Sequence, residues 1–136
     1  FLFICGNICD RSLLERTFSE YEIDGVINFA AESHVDRSIS SPEIFEKTNV
    51  GGTAALLDAA AGHKVKRFLQ VSTDEVYGSL SASDPSCRED SRLMPRSPYS
   101  ASKAAADLFA LSYFNTYGLP VVITRSSNNF GPKQFF

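Results

Sequence analysis

Two stretches of this chain combine residue types and spacing that can do chemistry: Thr73-Asp74-Glu75, and Tyr99-Ser100-Ala101-Ser102-Lys103. Residues four apart in a helix share a face, so the phenol of Tyr99 and the ammonium of Lys103 can serve one reacting centre. A tyrosine with the ordinary pKa of about 10 is a poor base at neutral pH. A cation held about 4 Å away is worth roughly 4 kcal/mol at an effective dielectric of 20, which favours the phenolate and would let it take a proton from a hydroxyl group. In the other stretch, two adjacent carboxyls resist joint ionisation, which separates their pKa values and suits one as acid and the other as base. Each stretch also has a plain structural reading. The first pair can be an amphipathic helix with a half-buried ring and a solvated amine, and the carboxyls can cap a turn.

The elements around these stretches favour chemistry. Val26-Ile27-Asn28-Phe29-Ala30-Ala31 reads as a buried strand ending in small residues, against which a flat ligand can lie close to the backbone. The apolar run Phe68 to Ser72 leads into Thr73, and Val121 to Thr124 leads into Ser126-Ser127-Asn128-Asn129-Phe130-Gly131-Pro132. Polar groups that follow apolar strands gather at the carboxyl ends of a parallel sheet, where ligands bind.

The remaining pattern alternates strand and helix without repeat or low-complexity tract. Phe1 to Cys5 reads as a short strand, Arg11 to Tyr21 as a surface helix and Gly25 to Ala30 as the second strand. Ser40-Ser41-Pro42-Glu43 has capping-box spacing with an early proline, and opens one long helix towards Gly62. Arg67 to Ser72 is the third strand, Ser79 to Ser97 a long polar loop of the kind that often binds ligands, and Ser97-Pro98 starts a helix that stops at Gly118. Such alternation calls for a parallel α/β sheet covered on both faces.

With 136 residues, 43% hydrophobic and 21% charged, the chain has the size and balance of one domain. A net charge of −3 gives no electrostatic footprint for nucleic acid, and no apolar stretch approaches the ~18 residues of a membrane span. No nucleic-acid or membrane partner is therefore expected, and the cytoplasm is the expected location. Cys5, Cys9 and Cys87 lack metal-ligand or redox spacing, and His34 and His63 have no ligand-like partners in sequence, so no metal is expected.

From end to end the chain resembles the extended short-chain dehydrogenase/reductases, and most of all the nucleoside-diphosphate-glucose 4,6-dehydratases. The resemblance rests on Ala30-Ala31-Glu32-Ser33-His34-Val35-Asp36-Arg37-Ser38, Thr48-Asn49, Ser72 to Gly78, Tyr99 to Lys103 and Ser127 to Pro132. The Tyr/Lys pair is common to the superfamily, whereas the adjacent Asp and Glu separate the dehydratases from the epimerases. The resemblance implies a partial Rossmann-like, doubly wound parallel sheet made of the family's strands three to six. It also implies NAD as cofactor and a dTDP- or UDP-glucose substrate, oxidised at carbon 4, dehydrated across carbons 5 and 6, and reduced at carbon 6. Tyr99 would be the base at the carbon 4 hydroxyl, Lys103 would hold the cofactor ribose, Thr73 would bond the same oxygen as Tyr99, and Glu75 and Asp74 would be base and acid of the elimination. Asn7, Ile8, Phe29, Ala30, Ala31, Ser33, Thr48 and Asn129 would join Tyr99 and Lys103 at the cofactor. Ser33, Thr73 and Asn128 would meet the substrate, and Asn49 would support the site through the backbone. Gly6-Asn7-Ile8 departs from the family's usual Gly-Asp-Ile, keeping an acceptor for adenine but losing charge assistance.

No glycine-rich phosphate loop occurs in the chain. The resemblance places Phe1 at the family's third strand, so residues 1–136 are expected to be an internal part of an NAD-binding domain, without the C-terminal substrate-binding portion. In the sheet order 3-2-1-4-5-6, Phe1 to Cys5 would lack a neighbour and the strand from Val26 would have an open edge. Such a polypeptide is expected to be poorly folded and inactive alone. Family members dimerise through two long helices, here near 43–61 and 98–117, so a homodimer is expected of the intact protein. The alternatives are a related 4-epimerase or decarboxylase, and a non-catalytic remnant that acts by pairing with other chains.

Overall fold

The structure, a computed structural model, describes residues 1–133. Strands β1 (Gly25–Asn28), β2 (Arg67–Thr73) and β3 (Val121–Ser126) form a parallel sheet in that order. Helix α1 (Arg11–Glu20) precedes β1, and α2 (Val35–Ser40), α3 (Pro42–Phe45) and α4 (Thr53–Gly62) connect β1 to β2. Helix α5 (Pro98–Tyr117) connects β2 to β3.

Register decides which side chains face the helices. Val26, Phe68 and Val121 are paired across the sheet, as are Asn28, Gln70 and Ile123, so both rows lie on one face. On that face Phe68 joins Leu14, Phe18, Leu57, Ala60, Ala110 and Leu119 in the apolar core. Asn28 and Gln70 are buried there too, and the Asn28 amide donates to Gln70 Oε1 at 2.9 Å and to Thr53 Oγ1 at 3.2 Å. The Asn28 bonds pin β1 to β2 and α4, whereas Gln70 Nε2 is buried without a hydrogen-bond partner.

Helix α5 follows its sequence signals closely. Ser97 accepts from the Ser100 amide at 3.0 Å while Ser100 Oγ accepts from the Ser97 amide at 2.9 Å, and Pro98 occupies the first turn. Gly118 ends the helix with φ +70°, the left-handed conformation that glycine adopts without steric cost. Ala104, Ala106 and Ala110 on its buried side let it lie close to the sheet.

Four expectations need correction. Phe1 to Cys5 forms no strand and is exposed, because a lone extended segment has no ladder partner among the described residues. The sheet is therefore built from three strands. Its second face is not covered by helices: Ile27 and Val122, which point away from α4 and α5, are 61% and 55% exposed. The single long helix from Pro42 is broken by a π-helical turn, Glu46–Gly52, and is preceded by the unforeseen α2. Finally, Ser41 caps α3 without a side-chain hydrogen bond, so the capping box expected there is not formed.

The two glycines with positive φ offer a direct test. Gly118→Ala is expected to destabilise the chain by about 1 kcal/mol, since nothing lies within 4 Å of an added Cβ and only backbone strain remains. Gly78→Ala is expected to cost more, because Gly78 has φ +89° and an added Cβ would also run into the Met94 carbonyl. Urea denaturation of both variants checks the order, and equal losses would contradict it.

Candidate active site

Strand β2 delivers Thr73 to the carboxyl edge of the sheet, and the chain turns at once into a single 3₁₀ turn, Asp74–Tyr77. Thr73 is its cap: its Oγ1 accepts from the Glu75 amide at 3.3 Å. The same hydroxyl lies 3.3 Å from Asp74 Oδ1 and also acts on the Tyr99 phenol, whose pKa it lowers. Val76 is fully buried beneath the turn, which leaves Asp74 and Glu75 exposed above it. Thr73, Asp74, Glu75 and Tyr99 are thus brought together from three elements, β2, the 3₁₀ turn and α5.

Tyr99 stands in the first turn of α5, partly buried, with its ring edge-on to Phe45 at a centroid distance of 6.4 Å. Burial is the main cause that raises its pKa; the Glu75 carboxylate adds to the rise, the Thr73 hydroxyl opposes it, and Asp74 adds again. Glu75 is itself raised, by burial first and then by the neighbouring Asp74.

Lys103 is one helical turn on and buried, but its ammonium does not serve as the phenol's counter-charge. Its Nζ donates to the Val71 carbonyl of β2 at 2.6 Å. Burial lowers its pKa, and Asp107 works against that fall. The i, i+4 spacing does put both residues on one face. The side-chain path then decides where the charge ends, and here it ends on a strand carbonyl, so the expected depression of the Tyr99 pKa gives way to a rise.

Asn49 is the strongest structural support in this region. It sits in the π-helical turn, 1% exposed, and makes three hydrogen bonds. Its Oδ1 accepts from the Glu32 amide at 2.8 Å, and its Nδ2 donates to the Glu32 carbonyl at 3.0 Å and to Ser102 Oγ at 2.8 Å. The segment after β1 is thereby fastened to α5 between Tyr99 and Lys103. Ala30, held by an Asn28 side-chain bond at 3.1 Å, and Phe29 lie exposed at the end of β1, with Ala31 half-buried behind them.

The other expected positions are looser. Thr48 is half-buried on the π-helical turn beside Asn49. Asn7 spends its acceptor oxygen on the Cys9 amide at 2.9 Å, and Ile8 packs where a Cβ on Gly52 would stand. Ser33, Asn128 and Asn129 are exposed; Asn129 donates to Ser126 Oγ at 3.2 Å, and no hydrogen bond among the described residues joins Ser33 or Asn128 to Tyr99. Arg37 pairs with Glu32 at 3.6 Å rather than with the adjacent Asp36. Between the 3₁₀ turn and the 79–97 loop lies a cleft of about 670 Å³, bounded by Asp74, Glu75, Tyr77, Leu80, Cys87, Arg125 and Ser127. Sequence reasoning did not find Phe45, Ser102, Tyr77 or Arg125; only Arg125, a charge inside an apolar strand, carried a visible signal. No group of three or more potential metal ligands occurs among the described residues. No helix there is long and apolar enough to cross a membrane.

Comparison with known proteins adds one family model, two relatives and two solved structures. A family model described as GDP-mannose 4,6 dehydratase matches residues 1–136. A dTDP-glucose 4,6-dehydratase of Streptomyces antibioticus is 56% identical over 133 residues, which is 98% of this chain and 38% of that protein. The low-salt glycan biosynthesis protein Agl12 of Haloferax volcanii is 53% identical over 132 residues, 97% of this chain and 41% of that protein. The chain thus spans about two fifths of the length of these relatives. A dTDP-glucose 4,6-dehydratase from Streptomyces venezuelae, solved with NAD bound, superposes with a TM-score of 0.91 at 52% identity, over 97% of this chain and 40% of that one. A UDP-glucose 4-epimerase from Thermotoga maritima, solved with UDP-glucose, gives a TM-score of 0.91 at 31% identity over 98% of this chain and 43% of that one.

The electrostatics of the phenol can be tested directly. Replacing the Glu75 carboxylate by an amide removes a negative charge that opposes the phenolate, so Glu75→Gln is expected to move the Tyr99 titration to lower pH, and by more than Asp74→Asn does. Carbon-13 NMR of ring-labelled tyrosine reads both shifts, and an unmoved or rising Tyr99 midpoint in Glu75→Gln contradicts this account.

Proposed function

The chain belongs to the GDP-mannose 4,6-dehydratase family, and from that premise we propose that it carries the catalytic centre of an NAD-dependent nucleotide-sugar 4,6-dehydratase acting on dTDP-glucose or UDP-glucose. The observation that carries this reading is the convergence of Thr73, Asp74, Glu75 and Tyr99, in which two carboxyls and one phenol act on each other, the carboxyls also bordering the cleft beside the 79–97 loop. A 4-epimerase or decarboxylase needs the phenol but has no use for both carboxyls.

The residues present fit the ribose and nicotinamide part of NAD. Lys103 has three donors and spends one on the Val71 carbonyl, and small Ala30 and Ala31 leave room above the end of β1. Lys103, Tyr99, Thr48, Ala30 and Ala31 would hold that part, with Asn7 and Ile8 towards the adenine. When bound, NAD supplies an acceptor of hydride from sugar carbon 4 and a donor of hydride to carbon 6.

The protein's own groups do the proton work. Tyr99, in the minor fraction that is phenolate, takes the proton of the carbon 4 hydroxyl and becomes the neutral phenol, and Thr73 donates to the same oxygen. The resulting ketone acidifies the hydrogen on carbon 5, which Glu75 removes; its raised proton affinity makes it a stronger base while it remains ionised. Asp74 then protonates the departing carbon 6 hydroxyl, and a water leaves. Lys103, positioned by α5, orients the ribose and holds its charge beneath the site. Homodimerisation through α4 and α5 belongs to the same proposal; Leu108, Leu111 and Phe114 on α5 are exposed apolar residues suited to it.

The test is product analysis. Residues 1–136, alone and exchanged for the matching part of the Streptomyces antibioticus relative, are incubated with NAD and dTDP-glucose. The exchanged protein is expected to form a product lighter by one water, the chain alone to show no turnover, and Glu75→Gln in the exchanged protein to lose about 10²- to 10⁴-fold in kcat. An isomeric product of unchanged mass would replace this reading with epimerisation.

A further inference from the structure

Behind the reacting end of α5 lies a second buried charge that the mechanism above does not use. Asp107 is one helical turn beyond Lys103 and is fully buried. Strand register places Ser72 of β2 directly beside Arg125 of β3, on the sheet face that α5 covers, and Asp107 lies against both. Arg125 Nε donates to Asp107 Oδ2 at 2.9 Å, and the same guanidinium donates to the Tyr77 hydroxyl at 2.8 Å and sits 5.1 Å above the Tyr77 ring. The other carboxylate oxygen, Oδ1, and the Ser72 hydroxyl are both buried without a partner at full hydrogen-bond geometry, although the hydroxyl still acts on the carboxylate.

A buried carboxylate on this scale needs a function or a counter-charge, and here it has the Arg125 guanidinium in an ion pair, with the buried Lys103 one helical turn away. A guanidinium cannot lose its proton in a protein, so the Arg125 bond is that of an ion pair. Burial raises the Asp107 carboxyl, while Arg125, Ser72 and Lys103 all pull it back towards ionisation. From the other side, Asp107 is the charge that acts on the buried Lys103 ammonium. The remaining titratable groups of this region are Tyr99, Asp74 and Glu75 at the reacting end and Tyr77 beyond Arg125. None of these counters the burial of Lys103.

We propose that Asp107 is a positioning residue: its buried carboxylate, ion-paired to Arg125 and one helical turn from the buried Lys103 on the same face of α5, is the negative charge set behind the lysine of the Tyr/Lys pair, and links that end of the helix through Arg125 to the Tyr77 end of the Asp-Glu turn. The inference rests on the dehydratase reading for its catalytic meaning, but not for its electrostatics. Arg125 also donates to the Glu89 carbonyl at 3.3 Å, so the same link reaches the 79–97 loop that walls the cleft.

The experiment is a titration of Lys103 by NMR of its side chain in residues 1–136 and in the exchanged protein. Asp107→Asn is expected to lower the Lys103 midpoint by about 1 pH unit, and Asp107→Glu to restore it. Arg125→Gln is expected to raise the midpoint, because the undivided carboxylate then acts on Lys103 alone; this variant decides the matter if Asp107→Asn does not fold. In the exchanged protein the alkaline limb of the kcat profile should move towards neutral pH in Asp107→Asn with KM little changed. An unmoved Lys103 midpoint in folded Asp107→Asn, or a fall in Arg125→Gln, overturns the inference. Loss of all dehydration in the parent exchanged protein, with the Lys103 shifts intact, would instead overturn the functional reading and leave the positioning role standing.

Discussion

The side chain of Asn49 is the interaction on which the rest of the site depends. A carboxamide carries one acceptor oxygen and two donor hydrogens, and Asn49 uses all three on Glu32 and Ser102. Those bonds tie the segment after β1 to the helix that carries Tyr99 and Lys103. They can do so because a π-helical turn inserts an extra residue into the helix between α3 and α4 and turns Asn49 into the interior. With Asn49 nine-tenths or more buried, each unmade bond would leave a desolvated polar group at a cost of about 1–3 kcal/mol. The segment around Glu32 and the α5 turn around Ser102 are therefore coupled by one amide.

Electrostatics set the second constraint. The site gathers two carboxyls and a phenol at its mouth and puts its ammonium below, against the Val71 carbonyl. Negative groups crowd the phenol, so proton transfer from it is opposed by Glu75 and Asp74 and eased by Thr73 alone. The positive charge is buried, and Asp107, one helical turn further on, opposes the fall in its pKa that burial causes. Along the first three turns of α5 the half-buried Tyr99 lies near solvent with the exposed Asp74 and Glu75, while Lys103 and Asp107 are buried.

The sheet explains why stability and site geometry come from one face. Phe68, Gln70 and Ser72 alternate with Leu69 and Val71, and α4 and α5 cover the first set. The uncovered face and the free edge of β1 leave Ile27, Phe29 and Val122 open, together with Phe1 to Ile4. Exposed strand edges and apolar faces invite pairing with further chain, which is the physical content of a domain that spans two fifths of its relatives' length.

Local signals in the sequence determined α1, α5 and the three strands. Ser97-Pro98 and Gly118 set the ends of α5 through caps that involve only neighbouring residues, and alternation set β2. The types and order of Thr73, Asp74, Glu75, Tyr99 and Lys103 were equally legible, since side-chain chemistry belongs to the residue. What only the tertiary structure decided is where each group points and what it meets. The spacing of Tyr99 and Lys103 specified a shared face, yet packing against β2 sent the ammonium to Val71. The π-helical turn and the Asn49 bonds arise from competition between packing and helix geometry, which no local pattern encodes. Phe1 to Cys5 has the composition of a strand but forms none, because a strand is completed by a neighbour's hydrogen bonds and these are long-range. The Asp107–Arg125 pair likewise joins residues 18 apart in sequence through the register of two strands, and register is a property of the sheet.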